Sequence, residues 1–230
     1  MDNPEDERRL VNLHSEAFSA YTNRIYNQLT YPVGADTLSE QVLTHALRGY
    51  TYLKHTQALG SKRYLTVLDF SLACNDRRLW VIDMIDKKVV LNEWVAHGVR
   101  SGDVYAKYFS NTPSSKKSSL GFYSTGGLYS GRNNLSLKLK GLEKGINDNA
   151  FSRGIVIHGA HYISKEIVDR DERIGRSFGC PAVRKEINKT LVNTIQGGNC
   201  LFIWHPTPNY VSNSHLLNED LNITMNDLSD

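Results

Sequence analysis

Ile155-Val156-Ile157-His158-Gly159-Ala160-His161-Tyr162, followed by Gly175-Arg176-Ser177-Phe178-Gly179-Cys180-Pro181, is the stretch on which the reading turns. The first piece is an apolar run that ends on a histidine, the pattern of a buried strand holding an imidazole at its rim. In the second, glycines precede a cysteine. Such a turn can point successive backbone N–H groups at one spot, where an oxyanion would need donors. Pro181 and a helix read over residues 184–196 place Cys180 near a helix N-terminus, whose positive end favours thiolate. A thiol nucleophile needs a base, and His158 is the candidate. No Asp or Asn offers itself as a third member, so a main-chain carbonyl is the expected orienter, and Gly159 leaves room for one or for close approach of substrate.

Competing readings stand beside this one. A cysteine in a chain of this size is commonly a small buried hydrophobe, and Cys74 and Cys200 are read that way. For Cys180 the Gly-Cys-Pro turn makes a core role less natural. His45, His55 and His97 are expected on the surface or in the core. His158, His161, Cys180 and His205 could also form a metal site. On one strand, however, residues three apart face opposite sides, so the two histidines converge only if the strand ends between them.

Outward from this stretch, residues 62–205 read as short strands: 64–70, 78–84, 88–96, 120–125, 135–140, 155–162 and 200–205, with Asp86-Lys87 as a hairpin-type turn. Gly126-Gly127 punctuates the middle, and Gly197-Gly198 stops the late helix. Residues 111–119 form a polar loop with no apolar anchor. Upstream, residues 8–30 read as an amphipathic helix, and a second runs from a cap at Asp36 or Thr37 to about His55. The helical pair either packs on the sheet, shaping a donor groove, or covers a sheet edge. Three units follow: a helical segment 1–60, a catalytic unit 61–206 and a loosely attached, acidic, Asn-rich tail 207–230.

The 230 residues carry 40% apolar and 22% charged side chains, ordinary globular usage. A net charge of +3 is too small an excess to argue for a nucleic-acid partner. No apolar run approaches the ~18 to 20 residues of a membrane helix. Three cysteines make neither a disulfide framework nor a four-thiolate zinc site. Met1-Asp2-Asn3-Pro4-Glu5-Asp6-Glu7 is acidic where a signal peptide would be basic and then apolar. A chain made without an export signal and one trimmed of its leader both fit.

Ile-His-Gly followed by Ser-x-Gly-Cys resembles the catalytic signature of the YkuD-type L,D-transpeptidases. The form Gly-Arg-Ser-Phe-Gly-Cys-Pro-Ala-Val is similar to that of the murein L,D-transpeptidase branch. The likeness runs from about Tyr64 to Trp204 and includes Val95-Ala96-His97-Gly98, Ser118-Ser119-Leu120-Gly121-Phe122-Tyr123 and residues 141–149. It implies an α+β, mainly β fold: a curved sheet or sandwich with an N-terminal helical pair and a short helix after the cysteine. It also implies Cys180 as nucleophile, His158 as base, Gly159 as the carbonyl that orients it, and Ser177 as the family's Ser/Thr. The N–H groups of Gly179 and Cys180 would form the oxyanion hole. Phe178 and Ala182 stand where the common form has a histidine and an Arg or Asn, so those roles do not carry over. Arg176, Arg184, Tyr123 and His161 are the candidate substrate-binding side chains.

The activity implied is acyl transfer on peptidoglycan stem peptides, with no cofactor. Cys180 would attack the carbonyl of the third residue, release D-Ala and leave a thioester. An acceptor amine would then give a 3-3 cross-link, or water would make the enzyme an L,D-carboxypeptidase. Carbapenems would acylate the thiol. The partners are a donor tetrapeptide and an acceptor amine, the chain acts as a monomer, and the place is the periplasm or cell envelope. Cytoplasmic recycling and export as an antibacterial effector are the alternatives. Two other classes remain: a cysteine peptidase of ordinary L,L peptides, and a non-catalytic wall-binding module.

Overall fold

The computed structural model describes residues 10–228. Its strands and helices are β1 (Leu10–Asn12), α1 (Glu16–Gln28), α2 (Glu40–His55), β2 (Tyr64–Asp69), β3 (Leu79–Asp83), β4 (Lys88–Glu93), β5 (Gly121–Gly131), β6 (Asn134–Gly141), β7 (Val156–Ala160), α3 (Lys165–Asp171), β8 (Ala182–Arg184), α4 (Lys185–Ile195), β9 (Cys200–Trp204), α5 (Pro208–Asn213), α6 (His215–Asn218) and β10 (Asn222–Thr224). The fold is α+β and mostly β, as expected.

Eight strands form one sheet in the order β4-β3-β2-β9-β5-β6-β7-β8. β2 runs parallel to β9 and β7 parallel to β8; the other pairs are antiparallel. The chain beyond β4 then bridges the opposite edge: Ala96 N–H donates to Ala182 at 2.8 Å, and Gly98 pairs with Ser177. The sheet therefore curls until its two ends meet, which removes exposed strand edges there. That closure lies beside Cys180.

Several expectations change. Within residues 8–30 the helix begins only at Glu16, capped by the Ser15 hydroxyl; residues 10–12 are a strand, and residues 8 and 9 lie outside the described ones. The second helix starts at Glu40 after Ser39, so Asp36 and Thr37 do not cap it. Gly126-Gly127 does not end a strand. It is a bulge within β5, where Gly197 and Gly198 N–H groups donate to the Gly126 and Thr125 carbonyls. β8 separates Cys180 from α4, so the cysteine does not sit at a helix N-terminus.

α2 covers the face of the sheet, not its edge. Its Gly49 lies where a Cβ would come within 2.2 Å of the Phe122 ring, and that ring stacks on Phe202 at 4.2 Å. His45 of the same helix stacks on Trp204 at 4.5 Å.

The segment after Pro206 is no loose tail. Tyr210, Leu216, Leu217 and Ile223 are buried, and β10 pairs antiparallel with β1. Arg48 of α2 donates to both Leu13 and Leu217 carbonyls. Buried Glu143 accepts from Phe122 N–H at 2.7 Å, from the Ser214 hydroxyl and from Tyr210 at 3.3 Å. The first and last described segments therefore share one apolar cap over the sheet. No helix among the described residues is long and apolar enough to cross a membrane.

Candidate active site

β7 is buried along its length because both faces are covered, which explains the unbroken apolar run. Gly159 serves packing: a Cβ there would lie 3.1 Å from Asn188 Cβ and 3.2 Å from Lys185 Cα, so the glycine lets α4 rest on β7. At the end of that strand the His158 Nδ1 lies 3.1 Å from the Gly159 carbonyl. This contact places the ring proton on Nδ1 and leaves Nε2 as the basic nitrogen. Burial holds the imidazole below the usual histidine range, so it is neutral near pH 7.

The turn carrying Cys180 is built by serines. Ser177 Oγ accepts from Gly179 N–H at 3.0 Å and donates to the Cys180 carbonyl at 2.6 Å. Ser118 Oγ donates to the Gly179 carbonyl at 3.1 Å and accepts from Gly98 N–H at 3.0 Å. Gly179 has φ +126°, and a Cβ on it would meet the Lys117 carbonyl at 2.8 Å. Only glycine satisfies both demands. The Gly179 N–H is thus occupied by Ser177. Of the two expected oxyanion donors, the Cys180 N–H is the one with no hydrogen-bond partner among the described residues.

His158, Gly159, His161, Arg176, Ser177 and Cys180 line one open groove of about 280 Å³, with Asn133, Tyr162 and Phe178 completing it. His161 joins His158 there because β7 ends between them. Among the described residues no group of three His, Cys, Asp or Glu side chains is arranged to hold a metal ion. His205 lies elsewhere, bonded to Thr207 at 2.6 Å and against the Phe109 ring. Burial raises the Cys180 thiol above its usual range, while the Val156 N–H and, after it, the Arg153 guanidinium oppose the rise.

Two substrate-binding expectations are overturned. Tyr123 is wholly buried, its hydroxyl bonded to the Ser119 carbonyl at 2.9 Å, and it does not reach the groove. Arg184 is paired through both ends of its fork with the buried Glu93 carboxylate and lies over Trp94. Arg176 does line the groove, held by the Gly102 carbonyl at 2.9 Å and Asp103 at 3.1 Å.

Sequence reasoning missed Asn133, at the tip of the β5–β6 hairpin, and Tyr162, whose ring packs against Gly175. Neither carries a spacing signal, because each reaches the groove through a loop. The glycine five residues before Cys180 was the one available hint of the second.

The L,D-transpeptidase catalytic domain profile matches residues 34–204. No curated protein sequence matches the chain. Similar solved structures include an L,D-transpeptidase from Mycobacterium smegmatis, at 10% identity over 62% of this chain and 59% of that one, with a TM-score of 0.40. The helical cell shape determining protein Pgp2 from Campylobacter jejuni aligns at 15% identity over 69% and 55%, TM-score 0.38. An L,D-transpeptidase from Xylanimonas cellulosilytica aligns at 16% over 88% and 100%, TM-score 0.36. This chain spans about 60% of the length of the mycobacterial structures it matches. On the profile, which covers well over half of its length, the chain belongs to the L,D-transpeptidase catalytic-domain family.

Proposed function

We propose that this chain is a cysteine acyl-transferase acting on the peptidoglycan stem peptide, with Cys180 as nucleophile and His158 as base. The observation that carries the reading is the contact of His158 Nδ1 with the Gly159 carbonyl, in the groove that Cys180 also lines. It holds the ring proton on Nδ1 and leaves the lone pair of Nε2 free to take a proton. The Cys180 proton passes to His158 Nε2 as sulfur bonds to the carbonyl carbon of the third stem residue. The oxyanion that forms is met by the Cys180 N–H. As the intermediate collapses, the imidazolium protonates the leaving D-Ala amine and a thioester remains. An acceptor amine then gives its proton to His158, bonds to the same carbon and expels the Cys180 thiolate, completing a 3-3 cross-link.

Neutral thiol and neutral imidazole suit this sequence, since the proton moves only as the new bond forms. Arg176 is the groove's guanidinium and the candidate for a substrate carboxylate. We further propose a monomeric enzyme and action on the wall in the periplasm or cell envelope. Carbapenems are expected to acylate Cys180.

A disaccharide-tetrapeptide ending in D-Ala, incubated with the wild type and Cys180→Ala and followed by mass spectrometry, tests the proposal. Loss of D-Ala with a 3-3 dimer from wild type alone is the expected result. Tripeptide without dimer makes the enzyme a carboxypeptidase. An untouched substrate with both proteins overturns the reading in favour of a wall-binding module.

A further inference from the structure

Arg153 precedes β7 and stands behind the Cys180 turn, outside the groove itself. Its guanidinium makes four hydrogen bonds, all to neutral acceptors of the loop preceding β5. Nη1 donates to the Ser110 carbonyl at 2.7 Å and Ser119 Oγ at 3.2 Å. Nη2 donates to the Lys117 carbonyl at 2.7 Å and Ser115 Oγ at 3.2 Å. Among the described residues no carboxylate pairs with it. A half-buried cation without a counter-charge costs desolvation with no Coulombic return, and proteins seldom retain one without a use.

The anion that would complete it is close. Gly154, the next residue, adopts φ +67°, and its carbonyl accepts from the Cys180 thiol at 3.7 Å, a bond of the resting thiol that is given up when the proton leaves. The Lys117 carbonyl that Arg153 holds is the atom against which Gly179 packs. One side chain therefore grips both walls of the cysteine turn. The charges around the sulfur are otherwise engaged or mobile. Arg176 on its own segment is paired with Asp103, Lys116 lies over Phe178, and Lys117 lies over Tyr108. From the β7 side come His158, held neutral by burial, with His161 and Tyr162, the last with its phenol pushed up to about 12 by burial. No carboxylate lines the groove among the described residues.

We propose that Arg153 is the positioning cation of this site: it tethers the Lys117–Gly179 contact and supplies the positive charge that stabilises the Cys180 thiolate. The inference rests on Cys180 being the nucleophile. The guanidinium lowers the cost of the thiolate that forms as His158 takes the proton, a charge that the following helix starts too late to stabilise. Burial raises the thiol on balance, with the Val156 N–H and then Arg153 opposing it.

The pH dependence of alkylation at Cys180 by iodoacetamide tests this, read by mass spectrometry of the Cys180 peptide. That readout needs no peptidoglycan turnover, so it separates this inference from the proposed function. Arg153→Met is expected to move the alkylation midpoint up by about one pH unit, roughly tenfold slower labelling near pH 7, with the high-pH limiting rate unchanged. Arg153→Lys should recover most of the shift. If the Met variant does not melt cooperatively, Arg153→Gln against Arg153→Lys decides, since glutamine keeps a donor for the loop and drops the charge. Equal midpoints in Gln and Lys variants, or a lowered limiting rate with an unmoved midpoint, would leave Arg153 a loop tether and overturn the proposal.

Discussion

The Ser177 hydroxyl donates to the Cys180 carbonyl at 2.6 Å while accepting from the Gly179 N–H, so one side chain closes the turn that presents the thiol. Ser177→Ala breaks both bonds and leaves a buried N–H free. Two neutral hydrogen bonds correspond to about 2 kcal/mol of stability. Misplacing the thiol should lower kcat by about 10- to 100-fold, with KM changing less. Ser177→Thr should retain most activity. Steady-state kinetics on the tetrapeptide, with thermal melts of each variant, check this; an alanine variant with wild-type kcat would show that the turn holds without the hydroxyl.

Two arginines near the cysteine should separate by their partners. Arg184 is committed to Glu93, so Arg184→Met should leave KM within about twofold. It should cost about 3 kcal/mol of stability, because it strands the Glu93 carboxylate, whose side chain is only 10% exposed. Arg176→Met removes the guanidinium that lines the groove and should raise KM about tenfold, the loss of one charge-assisted bond. Reversed effects on KM would exchange the two roles.

Glu143 ties the C-terminal segment to the sheet. Glu143→Ala would strand the Phe122 N–H and the hydroxyls of Ser214 and Tyr210 without their acceptor, at about 3 kcal/mol. Limited proteolysis should then cut within residues 207–228 well before the wild type is cut. Equal resistance in the two proteins would mean that apolar burial alone fixes the segment.

His97 is wholly buried, its Nδ1 2.8 Å from the buried Arg78 guanidinium, and burial lowers its pKa from 6.5 to about 4. Between those values the unfolded chain binds a proton that the folded one refuses. Stability therefore falls as pH drops from about 6.5 to about 4 and levels off below. For His97 the loss is on the order of 3 kcal/mol. His45, also lowered to about 4 by burial, acts in the same direction. Urea unfolding of wild type and His97→Gln between pH 7 and 4 should show a shallower slope in the variant. Parallel slopes would count against the assignment.

The residues that carry the family resemblance already named Cys180, His158 and the Gly159 carbonyl, and the groove holds them together. Periodicity located the strands because each buries a face or both, and it found α2 and α4 because their apolar stripes are long enough to repeat. It failed on β1, β8, β10, α3, α5 and α6, which span three to seven residues each and hold no period. Val11 pairs with Ile223 across almost the whole chain, a contact no local pattern announces.

Local order and chemistry were therefore determined by the sequence itself: apolar runs, glycine turns and a thiol after a histidine strand. Tertiary structure decided which groups were still free to act. Arg184 and Tyr123 have the right chemistry for a ligand, but Glu93 and Ser119 already occupy them. The Gly179 N–H is taken by Ser177, and Arg153, unremarkable in sequence, is left with no carboxylate partner among the described residues. Such outcomes depend on partners distant in the chain, brought near only when the sheet curls and its two edges meet at Ala96 and Ala182.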